Sequence, residues 1–503
     1  MTKLIPILVA ALMLAQATMI SALPSAAPAG KYTGHQVVRI TNPSAQLIAS
    51  ISTAGLDAWG RGENFIDLRV SPEVGLTKIE AAAGGPVQSS VIVPDLQKLI
   101  DDERAQRSTV HASAAGVPLD KSYFNSYHQY ADIKTFLSGI CSNAGSGKCT
   151  WIPSIGKSLQ GTDISALKLG TPSSTNKPQI YIQGSLHARE WAASSTVQYI
   201  VYQLLTATDA KTKAVLDTFD VHVVPLSNPD GYAYTWASNG DRLWRKNRRD
   251  NGDGTFGVDL NRNYEYHWDV SGGASDNTDD ETYRGPSADS EPETQVLSAY
   301  YKSLDRVTAA IDFHTFSQLI LRPWGDTDVL PVHDKQYVDI GTQIHNIIKG
   351  VSGLNYVSEP SISLYPTTGT ASDFFYSVKK TGTDGKAILP YGITIELRPD
   401  ANQGSDGFIL PPAQIIPTGD EIYPAFVAYA NYSLQNRLNP SGGVYPPPGP
   451  PSSSTTTATS TSTKTSTSTK TSTSTKTTTT KTKTTSTVTP TPTDTCPWWD
   501  WNC

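Results

Sequence analysis

The central part of the chain alternates short apolar or β-branched runs with longer segments of helical pattern. Residues 180–182 form one such run and lead into a loop, residues 191–206 have a helical pattern, and residues 221–226 form a further run. Strands that are apolar along their whole length are buried on both faces of a sheet. The alternation therefore predicts an α/β domain with a mixed sheet sandwiched by helices, in which ligand sites lie where loops leave the strand ends.

The first residues have the pattern of a secretory signal peptide. Lys3 precedes an apolar run over residues 4–20, which ends in the small residues Ser21 and Ala22. This pattern predicts a signal peptide at residues 1–22, cleavage near Ala22 and a secreted, extracellular protein. A membrane anchor is the alternative, but the run is short for a spanning helix and no later stretch is apolar for long enough, so we expect no membrane partner.

Charge and cysteine content narrow the class of protein further. The net charge of the 503-residue chain is −6, which favours neither a nucleic-acid partner nor an anionic membrane surface. The four cysteines fall into two close pairs, Cys141 with Cys149 and Cys496 with Cys503. In a secreted chain we expect each pair to close a small disulfide loop rather than to bind a metal.

Residues 23–112, which follow the signal peptide, have a mixed pattern of their own. Short alternating strands at residues 36–40 and 89–93 are separated by helical stretches, which predicts a small α+β domain. The last helix is predicted over residues 94–107, and the loss of apolar periodicity from residue 104 to residue 113 predicts an exposed connection. An accessory second domain would have the same pattern.

The composition changes abruptly after the central part. Residues 437–495 are rich in Pro, Ser and Thr and cannot form a core, which predicts an extended, O-glycosylated linker. Residues 496–503 bring three tryptophans into one small cysteine-closed loop. These rings are too few to bury one another, so they would stack on a polysaccharide or another apolar surface. A tail without a specific partner is equally compatible with the sequence.

A candidate metal site involves three residues of the central part. His187 and Glu190 lie three residues apart, and a third candidate ligand, His314, follows far downstream. Two histidines and one glutamate bind zinc and leave a coordination position open for water, so this set predicts a catalytic zinc site. The His-x-x-Glu pair alone would more often be two neighbours on a helix surface.

Further motifs accompany this pair, at residues 242–246 (RLWRK), 259–263 (DLNRN), 312–315 (DFHT), 365 (Y) and 395–398 (IELR). In this order and at these spacings they resemble the zinc carboxypeptidases of the carboxypeptidase A/B type, over about residues 120–435. The resemblance implies a catalytic domain at residues 113–436 that holds one zinc ion. It also identifies residues 23–112 with the activation propeptide of a procarboxypeptidase, which an activating protease would release.

The resemblance implies a role for each catalytic residue. His187, Glu190 and His314 would hold the zinc ion, and Glu396 would be the general base beside the attacking water. The guanidinium of Arg245 would stabilise the oxyanion of the tetrahedral intermediate.

Substrate contacts follow from the same resemblance. Asn261 and Arg262 look like the clamp for a free terminal carboxylate, which the planar fork of arginine can bind through both oxygens. Tyr365 resembles the mobile tyrosine that closes over this carboxylate. Arg242 is expected to contact the substrate upstream of the cleaved bond.

This sequence also departs from the family pattern. The residue before Asp373 forms the floor of the specificity pocket in the family, and here it is Ser372. A basic-specific enzyme of the B type carries an acid there, so Ser372 predicts uncharged, aromatic or aliphatic C-terminal residues, although serine is smaller than the typical A-type residue. Phe316 replaces a tyrosine of many relatives, which removes a hydroxyl from the substrate side.

Two short patterns have weaker implications. Residues 250–254 resemble part of a calcium loop but lack the rest of that pattern, so we predict a turn. Asn431 begins a potential N-glycosylation sequon, Asn-Tyr-Ser.

Together these patterns predict a secreted zinc exopeptidase, made as a zymogen, that removes uncharged C-terminal residues from peptides and proteins. Two alternatives remain at this stage. One is a related zinc hydrolase that acts on modified amino acids, and the carboxylate clamp argues against it. The other is a non-catalytic carbohydrate or surface-binding protein, which would be expected to have lost Glu396.

Overall fold

A computed structural model describes residues 31–62, 64–110, 117–145, 147–172, 176–401 and 406–448. The helices are α1 (Ala45–Ser50), α2 (Thr77–Ala83), α3 (Leu96–Val110), α4 (Tyr130–Asn143), α5 (Trp191–Thr206), α6 (Ala210–Thr218), α7 (Pro229–Trp236), α8 (Pro292–Ser303), α9 (Asp334–Ser352), α10 (Ala371–Ser377) and α11 (Ile415–Gln435). Short 3-10 turns lie at Lys121–Asn125, Leu260–Arg262, Ser361–Ser363 and Pro412–Gln414.

The strands are β1 (Gln36–Thr41), β2 (Ala58–Gly62), β3 (Phe65–Val70), β4 (Ser89–Val93), β5 (Cys149–Lys157), β6 (Asp163–Leu169), β7 (Gln179–Gly184), β8 (Asp220–Val224), β9 (Val307–Thr315), β10 (Leu319–Arg322), β11 (Val357–Pro360), β12 (Lys380–Thr381), β13 (Ala387–Ile388), β14 (Tyr391–Leu397), β15 (Arg437–Leu438) and β16 (Val444–Tyr445).

Eight of these strands form the main sheet, in the order β11-β10-β14-β9-β7-β8-β6-β5. The central pairs β14/β9, β9/β7 and β7/β8 are parallel, whereas β10/β14, β6/β8 and β5/β6 are antiparallel. Every residue of β7, β8 and β9 is buried. The predicted mixed sheet of the α/β class is therefore confirmed.

Helices cover both faces of this sheet. Ile180 and Ile182 of β7 belong to an apolar cluster with α4, α5, α9 and α11, whereas Tyr181 between them belongs to a second cluster with α8 and α10. Successive side chains of a strand point to opposite faces, so one continuous apolar run supplies both clusters.

The N-terminal segment, residues 31–110, contains a separate antiparallel sheet of order β2-β3-β1-β4. Val38 and Ile40 on one face pack with residues of α1 and α2. Val37 and Trp59 cluster instead with Phe316 and Phe408 of the central part. The segment thus has an apolar face of its own, and it uses its other apolar cluster to pack against the rest of the chain.

Two boundaries differ from the predictions. The last helix of the N-terminal segment begins at Leu96 and continues to Val110, beyond the predicted end at residue 107. Arginine, alanine and glutamine, which follow Glu103, all favour the helix even where its apolar periodicity ends.

The second difference concerns the linker, which was predicted to begin at residue 437. Residues 437–445 form a hairpin of β15 and β16 instead. Leu438 is fully buried, and its carbonyl accepts a hydrogen bond from the Leu389 amide, so these residues belong to the folded part.

Two predictions about short segments, a disulfide and a turn, are also confirmed in the described residues. Cys141 and Cys149 form the predicted disulfide. At residues 250–254 the carboxylates of Asp250 and Asp253 accept hydrogen bonds from Gly252 N and Thr255 N, which confirms the turn.

The potential N-glycosylation sequon at Asn431 does not lie on the surface of the folded chain. This residue is buried within α11, and Ser433 of the same sequon is fully buried against Thr308.

The predicted signal peptide, most of the Ser/Thr-rich linker and the tryptophan-rich tail lie outside the described residues. Within the described ranges no helix combines the length and apolar character needed to cross a membrane.

Candidate metal centre and substrate cavity

The predicted metal ligands lie at the carboxyl ends of neighbouring strands. His187 follows β7, and Glu190 is the residue immediately before α5. His314 lies near the end of β9, and the parallel register of β9 with β14 places it opposite Glu396. Because the carboxyl ends of parallel strands meet at one edge of a sheet, residues far apart in sequence come together here.

The three predicted ligands form a compact and buried group. His187 Nδ1 lies 2.7 Å from Glu190 Oε1 and 3.0 Å from His314 Nδ1, and His314 Nδ1 lies 2.9 Å from Glu190 Oε2. In the described part of the chain this is the one group of such side chains whose ligand atoms all lie within 4.8 Å of one another.

In both histidines the outer nitrogen, Nε2, which faces away from the ligand group, contacts a carboxylate. His187 Nε2 is 3.2 Å from Asp259 Oδ1, and His314 Nε2 is 2.6 Å from Asp312 Oδ2. A carboxylate on the outer nitrogen fixes the ring so that the inner nitrogen presents its lone pair, as is usual for metal-binding histidine. The inner nitrogens and the Glu190 carboxylate then offer converging lone pairs. This donor set fits zinc with an open coordination position.

Glu396 stands beside this group on β14. Burial raises the pKa of the Glu396 carboxyl to about 8, against the lowering effects of His314 and Arg245. A zinc ion would add positive charge beside the carboxylate and lower this pKa. The environment therefore favours a carboxyl group that can accept and release a proton near neutral pH.

Arg245 is joined to the metal group through Asp259. Its Nη2 and Nε lie 2.7 and 3.1 Å from Asp259 Oδ2, while the other oxygen of this carboxylate contacts His187. Burial opposes the charge on both groups, but the attraction between them holds the pKa of Asp259 well below its usual range and that of Arg245 above it. The guanidinium is therefore a fixed positive charge beside the metal ligands.

Most of the predicted site residues border one cavity of about 70 Å³. Its lining includes His187, Glu190, Arg245, Asn261, Arg262, Tyr365, Ser372 and Glu396. All but two of the residues predicted from sequence therefore border this cavity. His314 lies behind the cavity among the ligands, and Arg242 lies elsewhere.

Asn261 and Arg262, the residues of the predicted carboxylate clamp, are fixed by contacts with backbone groups. Asn261 Oδ1 accepts a hydrogen bond of 2.9 Å from Ala371 N, which ties the clamp to the helix that carries Ser372. Arg262 donates from Nε to Gly273 O at 3.1 Å and from Nη1 to Asn261 O at 2.7 Å.

Arg242 contacts the N-terminal segment instead of the cavity. Its Nε and Nη2 lie 2.7 and 3.0 Å from the carboxylate oxygens of Glu103 on α3. Arg189, between the two ligands of the His-x-x-Glu pair, is paired in the same way with Asp57, at 2.9 Å.

Three residues of the site were not predicted from sequence. Asp259 and Asp312 lie within the quoted motifs, two residues before Asn261 and His314. A carboxylate two residues before a candidate histidine ligand is the signal that could have identified Asp312. Asp259 has no such signal, because it lies 72 residues from His187, the ligand that it contacts. Arg189 has no comparable signal, because its role depends on Asp57 of the distant N-terminal segment.

The comparison with known families agrees with this geometry. Residues 146–425 match the family described as zinc carboxypeptidase. Zinc carboxypeptidase A 1 of Anopheles gambiae is 32% identical over 402 residues, which cover 79% of this chain and 87% of that protein. Carboxypeptidase B of Astacus astacus is 35% identical over 313 residues, covering 61% of this chain and 97% of that protein.

A solved structure has the same fold. Carboxypeptidase A from Helicoverpa armigera superposes with a TM-score of 0.69 at 26% identity and covers 80% of this chain and 98% of that one. The matched family covers more than half of the chain, and the relatives match it over most of their own length. With the His187, Glu190 and His314 group in place, the chain belongs to the zinc carboxypeptidase family and is a metallocarboxypeptidase.

Proposed function

We propose that this protein is a secreted zymogen of a zinc exopeptidase that removes uncharged C-terminal residues from peptides and proteins. One observation carries the proposal. The metal group, a candidate base, a fixed guanidinium and a candidate carboxylate clamp border one cavity, and the N-terminal segment covers its mouth.

In this proposal the zinc ion is held by His187, Glu190 and His314. When bound, it supplies a Lewis acid and lowers the pKa of its water to about 7. Glu396 accepts a proton from the attacking water and passes it to the leaving amine. Arg245 stabilises the oxyanion as it forms, and its pairing with Asp259 keeps it oriented without further rearrangement.

Recognition of the chain end is assigned to Asn261, Arg262 and Tyr365. A guanidinium and an amide that are already fixed by backbone contacts lose little freedom when they bind a carboxylate. Tyr365 lies against the apolar cluster of the N-terminal segment, so removal of the segment would free it to close over the substrate.

The proposed preference for uncharged residues rests on the polar but neutral side chains near Ser372. The cavity lining also contains Thr370, Thr394 and Leu321. None of these side chains carries a charge that would bind a lysine, arginine or glutamate at the end of a substrate.

The zymogen proposal rests on contacts of the N-terminal segment. Four residues of this segment border the cavity, namely Ala58, Trp59, Gly60 and Arg61. Arg61 also donates a hydrogen bond to the carbonyl oxygen of Leu364, which is next to Tyr365. Trp59 packs edge-on against Phe316 with 6.4 Å between ring centres. A peptide could not enter while these residues cover the opening, although the metal group stays formed behind them.

Secretion is proposed from the signal pattern at residues 1–22, and an activating protease is the partner that the zymogen requires. The tryptophan-rich tail remains a predicted polysaccharide-binding element.

The test of this proposal uses peptides that differ only in their last residue. The full chain, cut by limited proteolysis between about residues 104 and 115, should release Leu or Phe much faster than Lys or Asp. A chelator should abolish release, and added zinc should restore it. Faster release of Lys would refute the pocket assignment, and release that the chelator leaves unchanged would refute the zinc mechanism.

A further inference from the structure

We propose that the tryptophan-rich tail, residues 496–503, docks into an aromatic groove on the folded part of its own chain. The tail lies outside the described residues, and its sequence places Trp498, Trp499 and Trp501 close together. The groove lies beside α10 and the hairpin of β15 and β16. Docking at this surface does not depend on the proposed peptidase activity.

Three aromatic rings packed in series line this groove. The ring of Trp324 stacks on Tyr266 with 5.0 Å between their centres, and it lies 5.0 Å from the ring of Tyr376. Leu330 and Val332 border the same cavity, whose volume is about 390 Å³. Sites that hold a small organic ligand have volumes of about 300–1,000 Å³, so the groove has room for an indole ring.

The apolar side of the groove is open to solvent in the described part of the chain. Val332 is 72% exposed and Leu330 is 53% exposed. Single exposed apolar residues are common on protein surfaces. A continuous groove of aromatic and aliphatic side chains is not, and it marks an interaction site.

The chemistry of the lining favours indole rings over a sugar polymer. Apart from its tyrosine and tryptophan rings, the described lining offers polar side chains only from Ser377 and Lys379. A sugar chain carries many hydroxyl groups, and burying them here would leave most of them without a hydrogen-bond partner. Lys379 is exposed, and Asp500, which stands between Trp499 and Trp501 of the tail, supplies the complementary charge.

The chain leaves the folded part next to the groove. Pro440, in the turn between β15 and β16, borders the groove. His333 fixes this turn in place, since its Nε2 lies 2.9 Å from Asn439 O and its Nδ1 lies 2.7 Å from the Tyr376 hydroxyl. The described residues end at 448, so residues 449–495 connect this side of the molecule to the tail. A flexible linker of that length spans roughly 35–40 Å, which is enough to return the tail to the groove.

This tether makes a weak contact sufficient for docking. A flexible linker gives the tail an effective concentration of about 1 mM near the groove, so an intrinsic Kd of about 0.1 mM would dock about nine chains in ten. A second copy of the chain at micromolar concentration is about a thousandfold more dilute than the tethered tail. The tail of the same chain is therefore the occupant that the groove meets most often.

Hydroxyl-radical labelling of the full chain, followed by mass spectrometry of its peptides, tests this docking. The wild-type chain is compared with a triple variant in which Trp498, Trp499 and Trp501 are replaced by Ser. Oxidation of Leu330 and Val332 should rise several-fold in the triple variant, up to about the tenfold that corresponds to nine docked chains in ten.

Val351 provides the matched controls. This valine is 52% exposed on α9, so its oxidation should be equal in the two proteins. In the reverse experiment, Val332→Asp should raise the oxidation of the three tail tryptophans, whereas Val351→Asp should leave it at the wild-type level. Both valines are exposed, so neither substitution disturbs the core.

Equal oxidation of Leu330 and Val332 in the wild type and the triple variant would overturn the docking of the tail. Protection that is lost on dilution would also overturn it, because a second copy of the chain would then occupy the groove. Protection that requires an added chitin or β-glucan oligomer, and persists in the triple variant, would show a sugar site instead. Each of these outcomes leaves the proposed function standing, because none depends on peptide hydrolysis.

Discussion

Glu396 is the residue whose role can be tested with the smallest change of structure. Replacement by Gln keeps the size of the side chain and removes its ability to accept a proton. We expect kcat to fall by about two orders of magnitude or more, the scale of a lost general base, while zinc content stays unchanged. Metal analysis and steady-state rates of the cut chain measure both quantities. Near-normal turnover of the zinc-loaded variant would refute the assignment, and loss of zinc would make Glu396 a ligand.

We expect Asp312 to act on a bound metal through His314, whose Nε2 lies 2.6 Å from Asp312 Oδ2. Asp312→Asn retains the shape of the side chain but removes the charge that orients the ring. We expect zinc affinity, measured by competition with a chelator, to weaken by about 10- to 100-fold. Asp276→Asn is the control, since this carboxylate is 80% exposed and pairs with Arg284 away from the site. An unchanged zinc affinity of Asp312→Asn would contradict the orienting role.

At the scale of elements, α3 carries a matched pair of acidic residues. Glu103 is buried against Arg242, whereas Asp101 is exposed and lies near Arg104 on the same helix. Glu103→Gln would leave a buried guanidinium without its counter-charge, which costs about 3–5 kcal/mol in comparable pairs. We expect the uncut variant to hydrolyse peptides at least several-fold faster than the uncut wild type.

Asp101→Asn should leave the uncut rate at the wild-type level. The comparison is made on protein whose intact mass is verified, so that traces of cleaved chain do not contribute. Equal rates for the two variants would show that the Glu103–Arg242 pair does not hold the segment in place.

The contacts of Asp57, the residue immediately before β2, also predict how the uncut chain responds to acid. Burial opposes ionisation of Asp57, but Arg189 and Arg69 outweigh it and hold its pKa well below the usual value. A group with a lowered pKa stabilises the docked state above its ordinary pKa and loses this effect only when the pH falls through the lower value. Burial and the nearby Asp57 raise the pKa of Glu281, so its protonation on acidification does not weaken docking.

We therefore expect the ratio of uncut to cut rates at pH 5 to be no higher than at pH 7. Parallel assays of the intact and cleaved chain measure this ratio. A rise of the ratio at pH 5 without cleavage would contradict the account of the Asp57 contacts.

How well each element could be predicted depends on whether neighbouring residues or distant contacts stabilise it. The helix α5 lies where the sequence predicts one, over about residues 191–206, because its apolar pattern and its neighbouring loop are local features. The end of α3 was missed, since helix propensity continued after the apolar period had ended. The hairpin at Arg437 was missed because its stability comes from burial of Leu438 against the distant Leu389.

For the whole molecule, the sequence was sufficient to predict which residues border the cavity, but not the individual contacts between the N-terminal segment and the central part. Most predicted site residues border one cavity because each lies in a short motif at a strand end or loop. The position of Arg242 was not predictable, since its partner Glu103 is 139 residues away in the N-terminal segment. Contacts of this kind depend on the complementary shape and charge of two surfaces. No local sequence pattern encodes this complementarity.

The most direct test of the central claim compares one peptide as its free acid and as its C-terminal amide. The zinc-loaded chain, cut after the N-terminal segment, should release the last residue from the free acid at least about a hundredfold faster, because Asn261 and Arg262 have no carboxylate to bind in the amide. Mass spectrometry of the products gives both rates in one mixture. Comparable release from acid and amide, or cleavage within the peptide, would contradict an exopeptidase that recognises the chain end.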